Sequence, residues 1–228
     1  MNKSAQLVVT LDGPAGSGKS TTAKEVARRL GFRHLDSGGL YRALTLALLE
    51  EGTPLTRWAD LTDEDMNGLP VRVSSEDAEF LIEVAGRRVQ AELRSPSVTA
   101  HVAFLASLPA ARRCLLRLQH IAGEKGGLVA DGRDMGSVVF PDADVKVYLV
   151  ADLHERARRR LEESGISPSN VDVERESKVI AERDRQDSER ELSPLREPSD
   201  AHLIDTTRLN FNDQVEEVVS LVKALYTD

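Results

Sequence analysis

The run Gly13-Pro14-Ala15-Gly16-Ser17-Gly18-Lys19-Ser20 fits the pattern G-x-x-x-x-G-K-[ST] and continues into Thr21. Its chemistry follows from the residue types. Glycines let consecutive backbone N–H groups turn inward around a phosphate. A helix starting there adds its partially positive N-terminal end. Lys19 would reach the β- and γ-phosphates of a nucleotide, and the Ser20 hydroxyl would hold Mg²⁺. The pattern marks a nucleoside triphosphate site and leaves the acceptor open, because switches, motors and kinases share it.

Four other clusters could handle anions. Asp36-Ser37-Gly38-Gly39-Leu40-Tyr41-Arg42 opens a helix, where Ser37 could cap it or touch an anion, with Tyr41 and Arg42 on the first turn; the plainer reading is an ordinary cap and an exposed arginine. Asp131-Gly132-Arg133-Asp134-Met135-Gly136 follows an apolar strand, and ligands of open α/β sheets bind at the carboxyl ends of strands. There Arg133 could hold a phosphate and Asp134 a base edge, against the plainer reading of a charged Asp-Gly turn. Arg156, Arg159 and Arg160 share a helix face at i, i+3, i+4 spacing. Such runs are usually solvated, yet arginines on a mobile segment can neutralise charge in phosphoryl transfer. Arg183, Asp187 and Arg190 fall at i, i+4 and i+7. Helical ion pairs of ~0.2–0.5 kcal/mol each would explain that spacing without a ligand.

These groups need elements to carry them. Leu7 to Leu11 reads as a buried strand, and Lys19 to Leu30 as a helix ending at Gly31. A second helix is predicted over Gly39 to Glu51. Thr56 to Leu69 is acidic and reads as irregular or as a short helix. Val71 to Ser74, Phe80 to Val84 and Arg87 to Val89 predict a small antiparallel sheet, with Ala85-Gly86 turning between the last two. Ser97 to Ala122 reads as helical, broken by Pro109. Strands follow at Leu128 to Ala130, Val145 to Val150 and Ala201 to Asp205. Helices are predicted at Leu153 to Glu163, Val173 to Glu191 and Asn212 to Leu225, with a flexible stretch over Glu163 to Asp172. Alternating strands and helices imply an α/β fold, a parallel sheet covered on both faces, interrupted by the hairpin as an insertion.

Composition bounds the rest. The 228 residues suit one α/β domain with insertions, and 40% hydrophobic against 30% charged residues allows a real core. A formal net charge of -8 and 4% aromatic residues disfavour nucleic-acid binding. The single Cys114 cannot form an internal disulfide, and the five histidines show no metal-ligand spacing. Trp58 and Cys114 read as packing residues. The polar segment Met1 to Gln6 lacks a signal peptide's apolar stretch, and no run is long enough to cross a bilayer. The expectation is a soluble cytoplasmic protein, monomeric, with small-molecule partners and neither nucleic acid nor membrane.

The stretches GPAGSGKST (13–21), LDSGGLYR (35–42), ELRSPSV (92–98), DGRDMGSVVFPDADVKVYL (131–149) and ERDRQDSERELSPL (182–195) together resemble the bacterial cytidylate kinase family. They lie in the family's order over nearly the whole chain, and DGRDMG-VVFPDA is the most specific of them. The resemblance implies a single P-loop kinase domain over 1–228, a P-loop NTPase-type sheet, a monophosphate-binding insertion over 62–98 and a helical lid over 152–185. It implies that ATP, with Mg²⁺ at Ser20, binds on 13–21 and that CMP or dCMP is the acceptor. Ser37, Arg42, Arg133 and Arg190 would contact the acceptor phosphate. Tyr41, Arg183 and Asp187 would lie near its sugar, and Arg112 and Asp134 would read the cytosine edge. Lys19, Arg133, Arg190, Arg156 and Arg160 would serve catalysis, the last two from the lid. The chain departs from the family at Ala103, where members carry a serine that touches the base. Two other readings stand beside this one: a P-loop kinase for UMP, AMP or another small molecule, and a P-loop switch that transfers nothing.

Overall fold

The structure is a computed structural model and describes residues 7–76 and 79–225; the N-terminal segment read above as polar, 1–6, lies outside them. Five parallel strands make the centre, in the spatial order β2 (Arg33–Asp36), β6 (Leu128–Asp131), β1 (Val8–Asp12), β7 (Val145–Val150) and β8 (His202–Asp205). Val9, Leu11, Leu128, Val129, Ala130 and Leu149 have no exposed surface, as strands covered on both faces require.

The two layers have separate cores. On one face, α1 (Lys19–Leu30) and α8 (Phe211–Ala224) press Ala23, Val26, Val215, Val218 and Val222 against the sheet. On the other, α2 (Ser37–Glu50), α3 (Asp63–Gly68), α4 (Pro96–Ser107) and α5 (Pro109–Gly123) bury Leu40, Leu44, Trp58, Met66, Leu105 and Leu115. Pro109 begins α5, so the predicted break falls where the ring has no N–H to lose. Trp58 is fully enclosed and donates its indole N–H to the Thr53 carbonyl. Cys114 is buried under α3, and burial pushes its thiol up.

The hairpin forms as expected from β3 (Val71–Glu76), β4 (Glu79–Val84) and β5 (Arg87–Arg88). Ala85 and Gly86 both take positive φ, 49° and 74°, as a tight two-residue hairpin turn requires. The hairpin is not a separate sheet, however. β4 pairs in parallel with β2 at His34 and Glu79, so the antiparallel strands extend the main sheet. Beyond β7, α6 (Leu153–Glu163) and α7 (Asn170–Glu189) pack against each other through Ala157, Val173 and Ile180. Ser169 caps α7 in a reciprocal box with Asp172, which ends the loop between them.

Three readings need correction. β2 was not predicted at all. Asp36, not Ser37, caps α2 by accepting the Gly39 N–H at 2.9 Å; Ser37 lies inside the first turn, buried, with its hydroxyl accepting from Gln119. Arg190 does not continue the α7 face, because the chain leaves the helix there in extended conformation. Among the described residues, no helix is long and apolar enough to cross a membrane.

Candidate active site

β1 ends at Asp12, and the chain turns at once into the glycine loop. Gly13 is required by space: a Cβ there would lie 2.1 Å from the Leu149 carbonyl oxygen of the neighbouring strand. The loop delivers the chain to α1, where Lys19 is buried and its ammonium donates to the Pro14 carbonyl at 2.7 Å. Burial, then the nearby Arg133, push the Lys19 ammonium well below its ordinary value. Such a cation gains more from an arriving polyphosphate than a solvated one would.

Next to the loop, Ser20 donates its hydroxyl to Asp131 at 2.5 Å, and Asp131 also meets His34 Nε2 at 2.7 Å. A serine hydroxyl and a carboxylate at the mouth of a phosphate loop are hard oxygen donors. Mg²⁺ asks for few protein ligands and takes the rest from phosphates and water, so this donor pair fits it. Asp131 was not assigned from sequence.

A cleft of about 530 Å³ opens beside the loop. It is lined by Lys19 and Ser20, by Ser37, Tyr41 and Arg42 from α2, by Arg133 and Asp134 after β6, by Arg160 from α6, and by Arg183, Asp187 and Arg190 from α7 and its end. Residues from five separate segments thus converge. The cleft also holds Arg94, Thr99, Asp131, Arg159 and Ala103. Arg94 lies in ELRSPSV, a stretch that was noticed, but nothing in its spacing singled out this arginine.

The charged groups are cross-braced. Arg133 donates from Nε to Asp187 at 2.8 Å, and Arg190 stands 3.6 Å from the same carboxylate. Burial alone would raise the Asp187 carboxyl, but Arg133, Arg183 and Arg190 hold it below the ordinary aspartate value. Arg183 is pushed down to about 10 by burial and by the neighbouring Arg133. Arg190 is lowered by burial and by Arg112, and its buried Nη2 has no hydrogen-bond partner. Arg42 donates to the Leu93 carbonyl and to Thr99, both at 3.0 Å. Such crowding of cations is costly unless an anion enters.

Arg112 lies behind the cleft wall. Its guanidinium pairs with Asp134, donates to the Ala106 carbonyl at 2.9 Å and to Ser193 Oγ at 3.2 Å, and lies over the Tyr41 ring. Tyr41 is itself buried, which pushes its phenol up to about 12 and keeps it neutral.

Arg156 is likewise off the cleft. It donates to the Ala15 carbonyl at 2.9 Å and to Asp184 at 2.5 Å, while Asp184 accepts the Ala15 N–H. In this conformation it staples α6 and α7 to the phosphate loop. Arg159 grips Thr206. Arg160 faces the cleft and pairs with Glu176 at 2.9 Å. The shared face of the three arginines therefore divides among three tasks.

Asp12 joins the two loops. It accepts N–H groups from Met135 and Gly136, at 2.9 and 2.7 Å, and so pins the turn after Asp134 to the end of β1. Gly136 cannot be replaced easily, since a Cβ would meet Thr10 Oγ1 at 2.8 Å. Burial raises the Asp12 carboxyl to about 7, against the two N–H bonds that lower it. The folded protein thus holds this proton more tightly than the unfolded chain. The resulting stability is complete below pH ~4 and is lost as pH rises through about 7. The stability of the wild type relative to Asp12→Asn should therefore decline between pH 4 and 7 in urea titrations. A difference that stays flat over this range would mean that Asp12 does not titrate there.

A phosphate loop on a five-stranded parallel sheet, facing an arginine-lined cleft, defines a P-loop phosphotransferase acting on a small anionic acceptor. The cytidylate kinase family model matches residues 9–224. The chain is 42% identical to a cytidylate kinase of an Exiguobacterium species, over 98% of both chains, and 38% identical to a cytidylate kinase of Acholeplasma laidlawii, over 95% of both. Among solved structures, an uncharacterized protein from Eubacterium ventriosum has the same fold, with a TM-score of 0.51 at 11% identity over 96% of this chain and 99% of that one. The chain belongs to the cytidylate kinase family and is a nucleoside monophosphate kinase.

Proposed function

We propose that this protein transfers the γ-phosphate of ATP to CMP or dCMP, releasing ADP and CDP or dCDP. The observation that carries the choice of acceptor is the buried Arg112–Asp134 pair, whose carboxylate lines the cleft. An ionised carboxylate only accepts hydrogen bonds. It suits the amino group of cytosine and repels the carbonyl that uracil carries at the same position. Arg112, which braces that carboxylate from behind the wall, would donate to the ring nitrogen and carbonyl of cytosine by turning a guanidinium N–H into the cleft. Tyr41 and Ala103 also line this cleft.

In this reading the phosphate loop, Gly13 to Thr21, holds the ATP phosphates, with Lys19 leaving the Pro14 carbonyl to meet the β- and γ-phosphates. Ser37, Arg42, Arg133 and Arg190 hold the acceptor phosphate, and Arg190 Nη2, which has no hydrogen-bond partner within the protein, supports that role. Arg183 and Asp187 lie toward the sugar. Ser20 and Asp131 would hold Mg²⁺, which screens the phosphate charges as they approach. The acceptor phosphate is already an anion, so no general base is needed. Catalysis is positioning and charge neutralisation, completed by Arg160 as it exchanges Glu176 for phosphate. The region 62–98 acts as the monophosphate-binding insertion and 152–185 as the lid whose closure keeps water from the γ-phosphate. The protein works as a monomer in the cytoplasm.

Incubation with Mg-ATP and CMP, dCMP, UMP, AMP, GMP or shikimate, with product identification, tests the reading. CDP and dCDP should form well ahead of every other product. Equal turnover of UMP would leave the chemistry intact and place relaxed discrimination at Ala103, where a hydroxyl worth on the order of 1 kcal/mol is missing. ADP formed without any acceptor would overturn the proposal.

A further inference from the structure

Ser193 follows the end of α7 and takes φ +48°, one of two non-glycine residues with positive φ among those described. Serine adopts this conformation at a cost, and such a residue persists only where its surroundings hold it. Here both halves of the residue are in use. Its hydroxyl oxygen accepts from Arg112 Nε at 3.2 Å, and its carbonyl accepts from Arg190 Nε at 2.6 Å. One residue therefore meets two arginines far apart in sequence, Arg112 on α5 and Arg190 after α7. Both arginines also face Asp134, through the Arg112 ion pair and through Arg190 Nη2 at 4.0 Å.

Arg112 is held at three points: Asp134, the Ala106 carbonyl and Ser193 Oγ. Removal of the third frees the guanidinium to rotate about the other two, and the Asp134 carboxylate that it braces at the cleft loses its fixed direction. Arg190 keeps its carbonyl partner whatever side chain stands at 193. We propose that Ser193 is a positioning residue for acceptor selection: it sets the base-reading arginine and the phosphate-holding arginine at a fixed spacing, so that a pyrimidine edge and its phosphate are measured together. This rests on the acceptor reading above. It also says why Arg112 can serve without a hydroxyl at position 103, since its orientation is set from behind the cleft.

The test is a pair of variants with initial rates over CMP, UMP and ATP concentrations. Ser193→Ala removes the hydroxyl and keeps the backbone demand. Ser193→Gly removes the hydroxyl and relieves the backbone, so it folds even where alanine does not. Both should raise the KM for CMP about 5- to 10-fold, with kcat and the KM for ATP little changed, and both should lower the preference for CMP over UMP. A purely structural role at a strained turn predicts the reverse for glycine: higher stability and wild-type constants. A wild type that makes CDP, with both variants keeping its KM and its preference, overturns this proposal alone. A wild type that makes no CDP overturns the acceptor reading and this proposal with it.

Discussion

Lys19→Ala is expected to lower kcat by at least ~10²-fold, the loss that follows removal of one preorganised electrostatic group from a transition state. The side chain is buried, and its ammonium rests on the Pro14 carbonyl of its own loop. That contact is local, so alanine removes the charge without leaving a remote partner unpaired. The fold should survive, with CMP binding kept and transfer lost. Burial and Arg133 already disfavour the charged lysine, so incoming phosphates stabilise its ammonium form. Steady-state kinetics with thermal melting of the variant checks this. Unchanged turnover in a folded Lys19→Ala would remove the phosphate loop from the mechanism.

The second large effect is expected at Asp134. It is 3% exposed and forms the only ion pair of Arg112 among the described residues, the arginine being 9% exposed. Asp134→Ala leaves a buried guanidinium without its counter-charge, a change that costs about 3–5 kcal/mol. For a chain of this size, that corresponds to a fall in Tm of about 6–20 °C. Asp134→Asn keeps the shape, and its amide can turn a donor toward the cleft. Uracil offers an acceptor where cytosine offers a donor, so this variant should lower the ratio of kcat/KM for CMP over UMP at least about tenfold. An unchanged ratio in a folded Asp134→Asn would mean that this carboxylate does not read the base. Calorimetry separates the two effects, because the stability loss needs no nucleotide.

Local pattern was readable where the physics is local. Pro109 at the head of α5 and the Ala85-Gly86 turn act within a few residues, whereas the cap of α2 was misplaced by one residue, from Asp36 to Ser37. β2 escaped notice because Leu35 is its one fully buried side chain. Arg33 is spent on the Ala122 and Gly126 carbonyls, and His34 on Asp131, so no alternation of apolar and polar residues appears. The i, i+4 spacing of Arg183 and Asp187 suggested a pair on one helix, but the Asp187 carboxylate goes to Arg133. A buried carboxylate takes the partner that burial supplies, and sequence distance does not decide which that is.

The phosphate loop and the parallel α/β class are legible in the sequence because each is written in contiguous residues whose backbone needs are local: glycines that turn, a lysine and serine at a helix start, apolar strands before them; the family is legible in five short stretches spread from 13 to 195. Tertiary structure alone decided which cations face the cleft. Arg156 is turned onto Ala15 and Asp184, Arg112 is set behind the wall by Asp134 and Ser193, and Asp131 is brought to Ser20 across 111 residues. The physical reason is that a buried charge must find its counter-charge in space, and only the packed sheet and helices say which groups are within reach.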